Sequence, residues 1–220
     1  MFSLFITVLS FFSPATDGGK NTKTTENIDT TRLLYNQCNL DGKLDYGIFE
    51  DVLEGLAELE FDNENLVSII DFSKPSTEKR LFVIDLKNQK LLHHTLVAHG
   101  KNSGLNEAKK FSNTNRSLQT SLGIYSTAEP YMGKHGFSLR LDGLERGFND
   151  NARKRAIVIH GAEYVSTDFI EDHGRLGRSW GCPAIPPELT TDIINLIKGG
   201  SCLYIYADDE NYLSKSILSD

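Results

Sequence analysis

Arg80-Leu81-Phe82-Val83-Ile84-Asp85-Leu86, the polar break Lys87-Asn88-Gln89-Lys90 and the stretch 91–99 decide how this chain folds. Two runs rich in strand-forming residues flank four polar ones that suit a chain reversal. The segment therefore reads as a β-hairpin. Working downstream, residues 123–128 and 137–141 continue the strand pattern. In the second of these, Phe137, Leu139 and Leu141 point one way, and Ser138, Arg140 and Asp142 the other. Ala156-Ile157-Val158-Ile159 reads as a buried strand leading into His160. After Pro186-Pro187, residues 188–198 carry Leu189, Ile193, Ile194 and Ile197 on one helical face, and Gly199-Gly200 stops the helix. Residues 201–207 form a last strand. Upstream, 31–37 and 46–59 read as helices, the second with Phe49, Val52, Leu53, Leu56 and Leu59 on one face. Residues 64–72 read as a third helix or an irregular segment. Strands dominate and helices sit at the edges, so the expected class is α+β and β-rich.

The chain has 220 residues, 39% of them hydrophobic and 24% charged, which suits one domain with a proper core. A formal charge of −7 argues against a nucleic-acid partner, which selects basic surfaces. The first twelve residues, MFSLFITVLSFF, are apolar and uncharged. They are too short for an integral membrane span, which needs about 20 apolar residues. They read as the apolar region of an export signal with cleavage near Ala15. A buried N-terminal strand or helix is the alternative. The expected layout is a signal peptide at 1–15, a linker at 16–30, an N-terminal helical region at 31–72 packed on the main domain, and a catalytic domain at 73–220.

Arg178-Ser179-Trp180-Gly181-Cys182-Pro183-Ala184 carries the candidate chemistry. Cys182 follows a glycine in a polar loop, and His160-Gly161 lies twenty-two residues upstream at a strand end. A thiol is mostly protonated at neutral pH and becomes a strong nucleophile when a base takes its proton. Cys182 is the nucleophile candidate and His160 the base. Gly161 and Gly181 allow close backbone approach and let amide N–H groups face an oxyanion. On spacing alone, a buried structural cysteine and a core histidine account for the same pattern. Cys38 and Cys202 either pair as a disulfide or serve as small buried hydrophobes.

The stretch 133–186 resembles the L,D-transpeptidase (YkuD-like) family, in particular its murein L,D-transpeptidase catalytic-domain branch. The resemblance rests on Gly133-Lys134-His135-Gly136-Phe137-Ser138-Leu139-Arg140-Leu141, Gly147-Phe148-Asn149-Asp150-Asn151-Ala152, Ile157-Val158-Ile159-His160-Gly161-Ala162 and Gly174-Arg175-Leu176-Gly177-Arg178-Ser179-Trp180-Gly181-Cys182-Pro183. It extends more loosely over 44–206. It implies a β-sandwich or barrel catalytic domain with peripheral helices. It also implies a cysteine acyltransferase, without cofactor or metal, acting on peptidoglycan tetrapeptide stems to form 3–3 cross-links. Water as acceptor would make an L,D-carboxypeptidase, and a silent wall-binding protein could keep the same fold. The resemblance further implies export to the periplasm or cell envelope and acylation by carbapenem-type inhibitors.

Against the broader family motif, Trp180 stands where a histidine is usual, and Pro183-Ala184 replace a hydrophobe and a basic or amide residue. Those family roles do not carry over. Arg178 and Arg175 become the candidates for gripping a carboxylate, or are solvated loop charges. Trp180 walls a substrate channel or buries its indole. Ser179 orients His160, donates to substrate or stabilises the turn. His135 lines the cleft or sits in a turn.

Two metal readings fail. Placing Gly42 sixth in a calcium loop puts Gln37 first and Ile48 twelfth, where acidic oxygens are required. His160, His173 and Cys182 lack the short-spaced ligand pair of a zinc site. His93, His94 and His99 read as partly exposed strand residues, and adjacent strand residues face opposite ways.

Overall fold

A computed structural model describes residues 29–218. The expected signal peptide, and the linker up to residue 28, lie outside the described residues. Eight strands form one sheet, in the order β3-β2-β1-β8-β4-β5-β6-β7. They are β1 (Asn63–Asp71), β2 (Leu81–Asp85), β3 (Lys90–Thr95), β4 (Gly123–Gly133), β5 (Gly136–Gly143), β6 (Val158–Gly161), β7 (Ala184–Ile185) and β8 (Ser201–Tyr206). The helices are α1 (Thr30–Gln37), α2 (Tyr46–Glu58), α3 (Thr167–His173), α4 (Pro187–Ile197) and α5 (Glu210–Leu213). The β-rich α+β class holds, with helices at the periphery.

The hairpin forms as its sequence dictates. β2 and β3 pair antiparallel from Leu81↔Thr95 to Asp85↔Lys90, with a register shift after Val83. Asp85 closes the turn by accepting from the Asn88 backbone N–H at 2.9 Å. Residues 63–71, expected as helix or irregular, are instead a strand. It lies inside the sheet between β2 and β8, and its adjacent Ile69 and Ile70, which point to opposite faces, are both fully buried, so both faces are covered. A strand covered on both faces shows no alternation, and its β-branched content is the better guide. β4 runs past the expected end at 128 because a register shift between Thr127 and Pro130 accommodates the proline, which has no N–H to donate. α3 was not anticipated. Ser166 caps it by accepting from the Phe169 N–H at 3.2 Å, and Gly174 ends it at φ 68°.

After Thr95 the chain leaves the hairpin and crosses to the opposite edge of the sheet. Ala98 and Ala184 exchange backbone hydrogen bonds of 2.8 and 3.3 Å, and Ser179 donates to the His99 carbonyl at 3.1 Å. The sheet thereby nearly closes into a barrel. This crossing also overturns the expected exposure of His99, whose side chain is completely buried. Arg80 lies beside it, equally buried. It donates to the Val97 carbonyl at 3.0 and 2.9 Å, and its Nη2 sits 2.9 Å from His99 Nδ1. Burial, then the Arg80 charge, pulls the imidazole down to about 4, so it stays neutral and accepts from Arg80.

The main core lies between the sheet and its helices. α2 presses on β4 so closely that a Cβ on Gly55 would fall 2.4 Å from Ile124 Cδ1. α4 buries Ile193, Ile194 and Ile197 against the sheet. Residues 39–45 turn into α2, with Asp45 accepting from the Gly47 N–H at 2.8 Å. Cys38 and Cys202 are free, fully buried thiols.

Candidate active site

The site lies along the seam where the sheet closes. β6 and β7 run parallel, with His160 opposite Ala184, and the His160 N–H donates to the Pro183 carbonyl at 3.4 Å. Cys182 sits just before β7, on the segment flanking β6. The predicted partners therefore come from neighbouring elements. Each side chain has its own anchor: the Cys182 thiol donates to the Ala156 carbonyl at 3.7 Å, and His160 Nδ1 lies 2.9 Å from the Gly161 carbonyl. Among the described residues no hydrogen bond joins sulfur to imidazole.

The Gly161 carbonyl can only accept, so Nδ1 carries the proton. In the neutral ring this leaves Nε2 as the basic nitrogen. The ring is 3% exposed and lies beneath His135, centroids 4.6 Å apart. Burial lowers its pKa most, the Gly161 contact opposes that, and His135 lowers it further. The imidazole is therefore neutral at neutral pH, as a base must be. His135 does both things the sequence left open: it forms the β4–β5 turn with Lys134, and it lines a cleft of ≈500 Å³ with Phe137, Gly161, Tyr164 and Thr190.

The cysteine loop is held by its own polar groups. Ser179 Oγ donates to the Cys182 carbonyl at 2.6 Å and accepts from the Gly181 N–H at 3.0 Å. Its hydroxyl stabilises the turn and makes no bond to His160. Gly181 has φ 127°, and a Cβ there would meet the Gln119 carbonyl oxygen at 2.8 Å. Only glycine fits that approach. From the other side Gly100 packs so tightly that its own Cβ would fall 2.9 Å from the Gly181 Cα. Ala156, whose carbonyl receives the thiol, has φ 55°, an uncommon conformation for a residue with a side chain.

Burial raises the Cys182 thiol pKa. The Val158 N–H, the Arg155 guanidinium and its own N–H pull the other way, in that order. Trp180 is 75% exposed, which excludes the buried-indole reading. Arg178 donates to the Lys101 and Gly104 carbonyls at 3.2 and 3.1 Å and lines a second cleft with Lys101, Lys109 and Lys110. Arg175 donates to the Leu176 carbonyl at 2.7 Å.

The sequence reading missed Tyr164 and Arg155. Tyr164 packs over Gly177, lines the cleft beside Gly161, and has its hydroxyl pushed up to about 12 by burial and by the Cys182 sulfur. No motif marks it. Arg155 belongs to the run Arg153-Lys154-Arg155, which in sequence reads as solvated charge.

The closing seam of a β-rich domain thus carries a half-buried thiol on the segment that flanks the strand bearing a neutral imidazole. The chain belongs to the L,D-transpeptidase catalytic domain family, whose model matches residues 40–206, more than half of its length. No curated protein matches it. Among solved structures it is similar to an L,D-transpeptidase from Mycobacterium smegmatis, at 13% identity and a TM-score of 0.40, covering 65% of this chain and 59% of that one. It is similar to the helical cell shape determining protein Pgp2 (K-to-A variant) from Campylobacter jejuni, at 14% identity and a TM-score of 0.45, covering 70% and 54%. A cysteine-to-serine variant of an Enterococcus faecium L,D-transpeptidase matches at 12% and 0.39, covering 65% and 50%. The chain thus spans between half and three-fifths of the length of these solved chains. Among the described residues no helix is long and apolar enough to cross a membrane.

Proposed function

We propose that the protein is an exported peptidoglycan L,D-transpeptidase that works through a thioester on Cys182. The observation that carries this reading is the placement of Cys182 at a glycine-only elbow beside the strand that bears a neutral, buried imidazole. His160 Nε2 takes the thiol proton. The thiolate attacks the carbonyl of the diamino acid at the third position of a tetrapeptide stem. The Cys182 backbone N–H faces the developing oxyanion, where losing one donor costs roughly 3 kcal/mol in comparable sites. The C–N bond to the terminal D-Ala breaks, and the imidazolium returns its proton to the leaving amine. An amine of a second stem attacks the thioester, His160 takes that amine's proton, and the thiol is regenerated with a 3–3 cross-link formed.

The sulfur-to-ring contact absent at rest is expected to form with substrate, because catalytic hydrogen bonds commonly tighten only in the complex. The cleft between His135 and Tyr164 is a suitable entrance for the stem, and the exposed Trp180, two residues before Cys182, is placed to meet it. Incubation with purified tetrapeptide muropeptides tests the proposal. Cross-linked dimers together with released D-Ala are the expected products. Tripeptides without dimers would assign water as the acceptor and the activity to an L,D-carboxypeptidase. No product, with no carbapenem adduct on Cys182 by intact mass, would leave a wall-binding role and overturn the proposal.

A further inference from the structure

Arg153 and Arg155 lie two residues apart and meet opposite fates. Arg153 faces outward and binds the carboxylates of Asp142 and Glu129 at 2.6 and 2.7 Å. Arg155 turns inward, behind the cysteine loop. Its Nη1 donates to the Ser112 carbonyl at 2.7 Å and to Ser121 Oγ at 3.0 Å. Its Nη2 donates to the Gln119 carbonyl at 2.6 Å and to Ser117 Oγ at 3.2 Å. Every one of these acceptors is neutral. Nε is buried with no hydrogen-bond partner, and among the described residues no carboxylate forms an ion pair with this guanidinium. Nη2 lies 3.4 Å from the point where a Cβ on Gly181 would be, against the backbone immediately before Cys182.

A partly buried cation held by four neutral acceptors is electrostatically incomplete. The nearby group that can become an anion is the Cys182 sulfur. Its other polar neighbours are the Tyr125 and Tyr164 hydroxyls, which stay neutral because burial raises both. We propose that Arg155 is a positioning residue of the site: a fixed counter-charge that favours the Cys182 thiolate through space, while the 112–121 loop locks its orientation. It would fill the electrostatic role left open by Pro183 and Ala184 after the cysteine. The inference rests on Cys182 being the nucleophile, but thiolate formation can be read without any transpeptidase assay.

The test is the pH profile of iodoacetamide alkylation of the full chain. Cys38 and Cys202 are buried and silent in the folded protein, and Cys182→Ala supplies the blank. Arg155→Gln is expected to move the Cys182 profile up by about one pH unit, slowing alkylation at pH 7 roughly tenfold, the low end of what a neighbouring opposite charge produces. Arg155→Lys should stay within about threefold of the parent. An unshifted Arg155→Gln profile, or an Arg155→Lys profile shifted as far as Arg155→Gln, overturns the proposal. Should the variants fail to fold, the parent itself decides. The ratio of its alkylation rates with iodoacetate and iodoacetamide should exceed that of free glutathione severalfold and fall with salt, and a ratio equal to glutathione's overturns the proposal. A shifted profile without muropeptide turnover would sink the proposed function and leave this inference standing. Turnover with an unshifted profile would do the reverse.

Discussion

Cys202 and Cys182 are the same residue in two parts of one sheet. Cys202 sits in β8, flanked by β1 and β4, with burial alone acting on it and pushing its thiol up to about 12. Cys182 sits where the sheet closes, beside a two-residue strand. Burial raises its thiol too, but two backbone N–H groups and a guanidinium oppose that. The difference teaches that the surroundings of a thiol here depend on where in the sheet it sits. A complete ladder takes up the amides of β8. At the seam, the Val158 and Cys182 N–H groups favour the thiolate, and the Ala156 carbonyl, at a residue with φ 55°, accepts from the thiol. A thiol wholly inside a ladder meets only burial, whereas one at the sheet's edge also meets donors and a cation that favour its anion.

The strongest way to break this contrast is to exchange the roles of the two cysteines. Cys182→Ala should abolish both carbapenem acylation and muropeptide turnover. Cys202→Ala should keep turnover while costing about 1–2 kcal/mol in denaturant unfolding. Turnover retained in Cys182→Ala, or lost in a folded Cys202→Ala, would reverse the assignment. His160→Gln should lower kcat/KM by about 10²–10⁴, the usual contribution of a general base, with little change in the melting temperature.

A third test uses acid. His99 stays neutral in the fold down to about 4 and titrates near 6.5 when unfolded, so the unfolded chain binds more protons between those values. Stability contributed by this neutral, buried ring is present above 6.5 and lost as pH falls towards 4, by an amount on the order of 3 kcal/mol. Asp51 acts in the opposite sense. Burial, then Glu54, raises it to about 6, so its folded form holds a proton the unfolded chain has lost. Its contribution is present below 3.8 and lost as pH rises through 6. Asp51→Asn should therefore steepen the fall in melting temperature between pH 6.5 and 4. An unchanged slope would remove Asp51 from the account. The smallest effect belongs to Trp180→Ala: stability within about 0.5 kcal/mol, because the indole is exposed, and a higher KM for stem peptides if the ring contacts them.

What the sequence revealed follows from what is local. The β2–β3 hairpin was legible because its strands are adjacent and its turn residues are polar. The helical faces of α2 and α4 were legible from their periodicity. β1 was not, since a strand buried on both faces loses the alternation that marks it. His99 was misjudged because its burial comes from Ala98 meeting Ala184, a contact across 86 positions that no local pattern records. Cys182 and His160 were singled out through spacing and family likeness together. Arg155 was hidden for a simpler reason. Arg-Lys-Arg looks uniform on paper, and only the β5–β6 connection shows that the third residue turns inward while the first meets Asp142 and Glu129.

The crossing from Thr95 to Gly100 has a consequence for how Cys182 is carried. Ala98 stitches the outer edge of β7, and Gly100 wedges against Gly181. The loop bearing the sulfur is thus a link in a nearly continuous hoop of backbone bonds, unlike a flap hinged at one end. Amide hydrogen exchange at Ala98, Ser179 and Ala184 should accordingly slow together, at a rate set by opening of the whole hoop.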